Sequence, residues 1–406
     1  MTSILSCAAI RPFLKILSVT ALMFGLLLVL APGQNALAAE QSMQPIQTEQ
    51  PTQAKQPTQI ALQESDANSA QQQEATEELL SEGPTLLIYF ENDLFYNEDR
   101  YYTNAVQMRL ISRDLATLAH NRILPDGLSD LLGDLPMPGS ANATRYNLSF
   151  GFGQHIYTPK DTDSKELQKD DRPYAGYLYG SFGLHAKQES RLDTLELAIG
   201  IVGPSALGEQ AQNEVHRFRN IDTAEGWAHQ LKDEPTMMLT WTRIWRINSS
   251  LGSGAWGMDF LPRFEVSAGT PFTRAGLGGE LRIGWNLPQD FGVSLIRPGA
   301  GITAPAVPGE EDYQRSKGNG FWDDVSVYVF AGADAKAVAW DTFLDGNAWK
   351  NSHSIDKFPL VAELSTGITM HLGRFRIGYT HVYKSLEFHG QEKWHNYGSI
   401  HAGYTF

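Results

Sequence analysis

Past its first residues the chain has no cysteine: the single one, Cys7, stands before the apolar run Ile16 to Leu30. Arg11 and Lys15 precede or open that run, and Asn35-Ala36-Leu37-Ala38-Ala39 follows it, the layout of a secretory signal peptide cut after Ala38. A cysteine ahead of the apolar run is not the lipidated residue of a lipoprotein. Its loss on cleavage removes disulfides, thiol nucleophiles and Cys-based metal sites, although an exported compartment permits disulfides. After the signal peptide no run approaches the ~20 consecutive apolar residues that a membrane helix needs. Basic residues are outnumbered, 32 to 46, which argues against nucleic acid as a partner. No G-x-S-x-G elbow is present to mark a serine nucleophile. Residues 39–82 have almost no large apolar side chain. Their Gln, Glu, Ala, Thr, Pro and Ser cannot bury enough surface to offset the entropy of ordering, so this segment reads as a disordered leader and the folded unit as 83–406.

What stands in place of long apolar runs is alternation. In Thr194 to Ile201 the large apolar residues share one face and Glu196 and Gly200 the other. Trp256, Met258, Phe260, Phe264 and Val266 oppose Asp259, Arg263, Glu265 and Ser267, and 275–285, 325–339 and 360–370 repeat the pattern. A period of two describes strands with one apolar and one wet face. Repeated over segments of ~9 to 11 residues, with charges on the inner face, it predicts an all-β fold, a transmembrane antiparallel β-barrel of the outer membrane. The last strand alternates Ile400, Ala402, Tyr404 and Phe406 with Ser399, His401, Gly403 and Thr405. A terminal aromatic on such a strand resembles the signal read by barrel-assembly machinery, an expected partner during biogenesis.

Twelve strands are expected, at 85–92, 102–112, 145–157, 173–186, 191–202, 237–247, 257–269, 274–286, 324–340, 358–371, 374–387 and 396–406. An even count closes an antiparallel ring from a periplasmic start. Parity then sends 93–101, 158–172, 203–236, 270–273, 341–357 and 388–395 to the extracellular end. The long segments 113–144 and 287–323 fall to the periplasmic end, where small helices would account for their length.

Parity thus gathers polar residues from distant stretches at one rim. Asn92 and Asp93 end the first strand, Thr103 opens the second, Lys165 and Arg172 lie in one loop, and Gln212, His216 and Asp222 in another. Amide, carboxylate and hydroxyl oxygens suit a hard cation such as Ca²⁺, and a nearby histidine suits a general base. Water activated by His, with the cation polarising an ester carbonyl, is chemistry that fits this set. Architectural roles are also open. Asn92-Asp93 is a plausible Asx turn, Asp222 begins the capping-box pattern D-T-A-E, and Gln212 and His216, spaced i, i+4, share a helical face that packs or acts. Lys165 and Arg172 are loop charges or holders of phosphate.

The stretches ENDLF (91–95), DRYYTN (99–104), IYTP (156–159), DDRPYAGYLYG (170–180) and IGIVGPSALGEQAQNEVHR (199–217) resemble the outer-membrane lipid A 3′-O-deacylases. The resemblance runs over 85–406, with its specific motifs confined to 89–230. It implies a twelve-stranded barrel that hydrolyses the ester holding the 3′-acyloxyacyl chain on lipid A, with Ca²⁺ as cofactor. It also implies His216 as the catalytic base, Asp222 as the acidic residue where the family has Glu, Gln212 and Lys165 as further catalytic residues, and Asn92, Asp93 and Thr103 toward the metal. Ala105 departs from the family's Y-T-x-G, and its methyl is expected to crowd a strand position beside the site.

The expected protein is therefore a monomeric outer-membrane hydrolase acting on lipopolysaccharide among outer-membrane lipids. The alternatives are a phospholipase of the same leaflet and a non-enzymatic barrel serving permeation, adhesion or membrane integrity.

Overall fold

A computed structural model describes residues 83–93, 101–118, 137–140, 143–220, 222–250, 255–292 and 325–406, with single positions 125, 127, 130, 132 and 295. The signal peptide (1–38) and leader (39–82) of the sequence reading lie outside these residues.

The alternation becomes an antiparallel wall. Its strands are β1 (Thr85–Asn92), β2 (Tyr101–Ile111), β3 (Arg145–Thr158), β4 (Ala175–Lys187), β5 (Arg191–Val202), β6 (Glu234–Trp245), β7 (Ile247–Ser250), β8 (Trp256–Gly269), β9 (Phe272–Trp285), β10 (Val325–Asp341), β11 (Leu360–Leu372), β12 (Phe375–Lys384) and β13 (His395–Thr405). Strands that follow one another in the chain pair, except β6 with β7, and β1 pairs with β13 from Thr85↔Thr405 to Asn92↔Gly398, closing the ring. Strands β6 and β7 are two halves of one wall strand, since both pair with β8, so the barrel has the expected twelve.

The break falls at Arg246, whose guanidinium bonds the carbonyls of Glu189 and Gln289 and lies 5.5 Å over the Phe291 ring. Several expected boundaries shift: β6 begins at Glu234 rather than 237, and β4 and β11 begin two residues later, at Ala175 and Leu360. The strand expected at 374–387 stops at Lys384, and β9 begins at Phe272, leaving only two residues in the turn after β8.

Ile199, Leu277, Leu281, Val329, Leu364 and Ile377 point outward and are exposed, as a lipid-facing band requires. Many inward positions are polar, and several of them form buried ion pairs. Arg109 meets Glu196 at 2.5 Å, Lys336 meets Glu363 at 2.8 Å, and Arg282 bonds both Asp259 and Asp290. Removing one partner of such a buried pair strands a charge, at a cost of about 3–5 kcal/mol.

Both mouths are stopped by side chains. At the rim where β1 begins and β13 ends, Phe291 packs inside on Leu192, Ile244 and Leu261, while Leu115, Leu118, Leu132 and Met137 pack outside the wall, on Leu184 and on Leu148, which shares its face with the exposed Phe150 and Phe152. At the opposite, distal rim the short helix α2 (Thr342–Asp345) inserts Phe343, stacked on Tyr157 at 4.2 Å and flanked by Phe272 and Tyr177. Asp341 caps α2 by accepting from the Phe343 amide at 2.9 Å.

Candidate active site

The distal rim holds two polar regions. One is a lumenal cavity of about 60 Å³ lined by Tyr102, His155, Arg274, Lys384 and Glu387 among others. That volume is small beside the ~300–1,000 Å³ of ordinary ligand pockets. Its charges are also paired, Lys384 lying 2.6 Å from Glu387. Arg172, 1% exposed, roofs the same region, with its guanidinium 4.7 Å over the Tyr157 ring and 3.5 Å from Glu387. Burial pushes the Glu387 carboxyl up, but Lys384 and Arg172 beside it more than offset this and hold it below the usual carboxylate range.

The other region lies on the outer wall, and the sheet register builds it. Glu91 faces the lumen, where it accepts from the Tyr102 hydroxyl at 2.8 Å, so the next residue, Asn92, faces out. Asn92 pairs with Asn104, Asn104 with Ile156, and Ile156 with Gly176, one row across β1 to β4. A bulge between Tyr102 and Asn104 gives β2 an extra residue, Thr103, whose hydroxyl meets that of Thr158 at 2.7 Å. Asn92, Asp93 and Thr103 are all buried. The expected crowding by Ala105 does not arise, because its methyl joins the lumenal cluster with Leu87 and Tyr89, on the opposite face of β2.

Over this wall lies helix α1 (Gly208–Arg219), introduced by a 3-10 turn at Pro204–Ala206. It approaches closely because both contacting residues are glycines: a Cβ on Gly176 would come within 3.0 Å of the Gly208 nitrogen. Gln154 of β3 donates to the Ala206 carbonyl at 2.7 Å. Ile156, Tyr174, Ala224 and Trp227 form a small apolar cluster against which Ala211 of α1 packs. The i, i+4 pair Gln212 and His216 does share the buried face of this helix.

Two hydrogen bonds fix where the protons are. His216 Nδ1 lies 2.6 Å from the Asp222 backbone carbonyl. A carbonyl only accepts, so Nδ1 carries the hydrogen and Nε2 keeps the lone pair, the tautomer of a general base. Gln212 Oε1 accepts from the Trp227 indole N–H at 3.0 Å.

The structure treats the remaining sequence-picked residues differently. The Asp222 side chain is exposed, and what it gives His216 is its main chain. No helix begins at Thr223, since 222–225 are irregular and the following 3-10 turn, Gly226–His229, has no side-chain cap, so the capping reading of D-T-A-E fails. Lys165 is 74% exposed and pairs with Glu225 at 3.0 Å, which brings its loop onto the segment after Asp222. Sequence reasoning missed Trp227 and Thr158. A tryptophan in a long polar loop was a signal of burial, and Thr158 stood within the quoted IYTP. Among the described residues no group of three His, Cys, Asp or Glu is arranged to hold a metal.

A sequence model of the family described as outer membrane protein LpxR matches residues 58–406, beginning within the segment read as leader. Among solved structures, LpxR from Salmonella typhimurium is similar over 79% of this chain and 100% of its own, at 19% identity and a TM-score of 0.60. The beta domain of the Bordetella autotransporter Brka is more distant: 10% identity, 80% of this chain, 99% of that chain and a TM-score of 0.38. No curated protein sequence matches the chain.

Proposed function

Since this chain belongs to the family of the outer membrane protein LpxR, and is thereby an outer-membrane barrel, we propose that it hydrolyses the ester-linked 3′-acyloxyacyl chain of lipid A. The observation that carries the reading is the oriented histidine. His216 is buried on the wall-facing side of α1, and an acceptor-only partner sets its tautomer. This geometry suits proton abstraction by Nε2 from water.

The water oxygen bonds to the ester carbonyl carbon as His216 Nε2 takes its proton. The bond between the acyl carbon and the sugar oxygen then breaks, and the same proton passes from His216 to the departing alkoxide. The products are a free fatty acid and a sugar hydroxyl. Gln212, on the same helix face, faces the developing negative charge. Its role and that of Lys165, whose exposed ammonium suits the phosphates of such a lipid, are part of the proposal.

The proposal includes Ca²⁺. Asn92, Asp93 and Thr103 offer amide, carboxylate and hydroxyl oxygens without sulfur or imidazole, a donor set that fits a hard cation. When bound, such a cation polarises the ester carbonyl. One carboxylate makes a weak site, so dependence is expected at about 10⁻⁴–10⁻³ M.

The test is mass spectrometry of lipid A after incubation with the purified barrel, with and without chelator, beside His216→Ala. The expected result is loss of one acyloxyacyl chain, abolished by chelator, restored by Ca²⁺ and not by Zn²⁺. His216→Ala should be slower by about 10²–10⁴. Intact lipid A from a correctly assembled wild-type barrel would sink the reading.

A further inference from the structure

Trp227 takes part in none of the steps above, yet it is 2% exposed and touches three parts of the site region. Its ring centroid is 5.0 Å from that of Tyr174. It packs beside Ile156 of β3. A Cβ on Gly208 would come within 3.0 Å of indole Cη2, so the ring lies against the first turn of α1. Gly226, just before it in the chain, has no room for a side chain either, with the Ser164 carbonyl oxygen 2.9 Å from where its Cβ would be. The indole is walled in and its N–H direction is fixed.

That direction has a chemical consequence. An indole N–H only donates, so the Gln212 atom facing it is the oxygen. The reverse amide orientation would set two donors against each other in a buried place. With Oε1 held, the Nε2 limb of the planar amide, carrying both hydrogens, is turned away from the indole. We propose that Trp227 is a positioning residue that locks the Gln212 amide, so that Gln212 offers the site a hydrogen-bond donor and withholds its oxygen. The inference rests on the deacylase reading and adds the chemical sense in which Gln212 serves it: a donor toward an oxygen of the ester, whose charge grows as the carbonyl is attacked.

Trp227→Phe keeps the ring packing on Tyr174 and Gly208 and deletes only the donor. The freed amide then turns over between two states. The expected result is a fall in kcat of about tenfold or more with KM within about threefold, because the interaction is made in the transition state. Two further variants separate positioning from packing. Gln212→Glu still accepts from the indole but has no donor, so it should be as slow as Gln212→Ala. Trp227→Phe combined with Gln212→Ala should be no slower than Gln212→Ala alone, because the two act as one unit.

Barrel assembly is followed throughout by heat-dependent migration on gels. The inference is overturned if wild type deacylates lipid A while Trp227→Phe matches it, if the losses in the double variant multiply, or if Gln212→Glu keeps full activity. An assembled wild type that leaves lipid A intact is a different result and overturns the underlying hydrolase reading instead.

Discussion

The lumen and the outer wall use polar side chains in opposite ways. In the lumen, charges are cancelled: Arg282 stands between Asp259 and Asp290, Arg109 meets Glu196, and Lys336 meets Glu363. On the outer wall few groups are charged and the bonds are one-directional, a carbonyl accepting from His216 and an indole donating to Gln212. Cancellation makes a rigid, inert filling. One-directional bonding determines which atom keeps a lone pair and which offers a hydrogen. The difference teaches that in this barrel burial of ionisable groups is not by itself the sign of a reactive place, because those in the lumen are held in ion pairs.

The sharpest way to break the comparison is to spoil the lumen and read both outcomes. Arg282→Leu leaves Asp259 and Asp290 without their shared partner, and unfolding in micelles should show a loss of about 3–5 kcal/mol. Turnover per folded barrel should stay within about threefold. A collapse of turnover in the fraction that remains folded would show that the two regions are coupled.

A smaller effect is expected from acid. The Glu387 carboxyl is held below its ordinary range, so the stability it brings to the distal loops is fully present above about pH 4.3 and is lost as pH falls through its lowered value. Asp171, whose carboxyl burial pushes up against the opposing backbone bonds from Lys160 and Arg172, contributes with the opposite sign, so the test compares variants. Glu387→Gln should be less stable than wild type at pH 7, and the gap should close toward pH 3 as followed by proteolysis of the loop after Lys384. A gap that stays constant over that range contradicts the assignment.

The smallest effect concerns Asp222. Its carbonyl orients His216 while its carboxylate faces solvent, so Asp222→Asn and Asp222→Glu should both deacylate within about threefold of wild type. Sharp loss with Asn and retention with Glu would return the carboxylate to the site.

Much of the fold was legible because side-chain period is a property of sequence. The count of twelve, the inward charges and the shared face of Gln212 and His216 all follow from spacing. The break at Arg246 was hidden because the alternation on either side belongs to strands that pair with the same neighbour. The plug residue Phe343 was hidden because a loop phenylalanine does not declare where it inserts. At the site, Asn92, Asp93 and Thr103 could be picked as residue types, but the bulge that turns Thr103 and Asn104 to the same face is a feature of pairing between strands. Asp222 shows the limit most plainly. Its contact with His216 runs through a carbonyl that every residue has, so nothing in the letter D reports it.

The row from Asn92 to Gly176, with the helix over it, belongs to β1 through β5 and the connection to β6, which are consecutive in both chain and sheet. Their pairings join strands that follow one another in the chain, the longest connections being 112–144 and 203–233, whereas the closing contact joins Thr85 to Thr405 across 320 residues. In kinetic terms ring closure differs from the pairings within either arc, because local pairings form before long-range ones repay the entropy of loop closure. The arc bearing the site can take shape while the other arc is still unpaired. The arc from β8 to β13 then contributes span, closure and the buried lumenal pairs of Arg282 and Lys336.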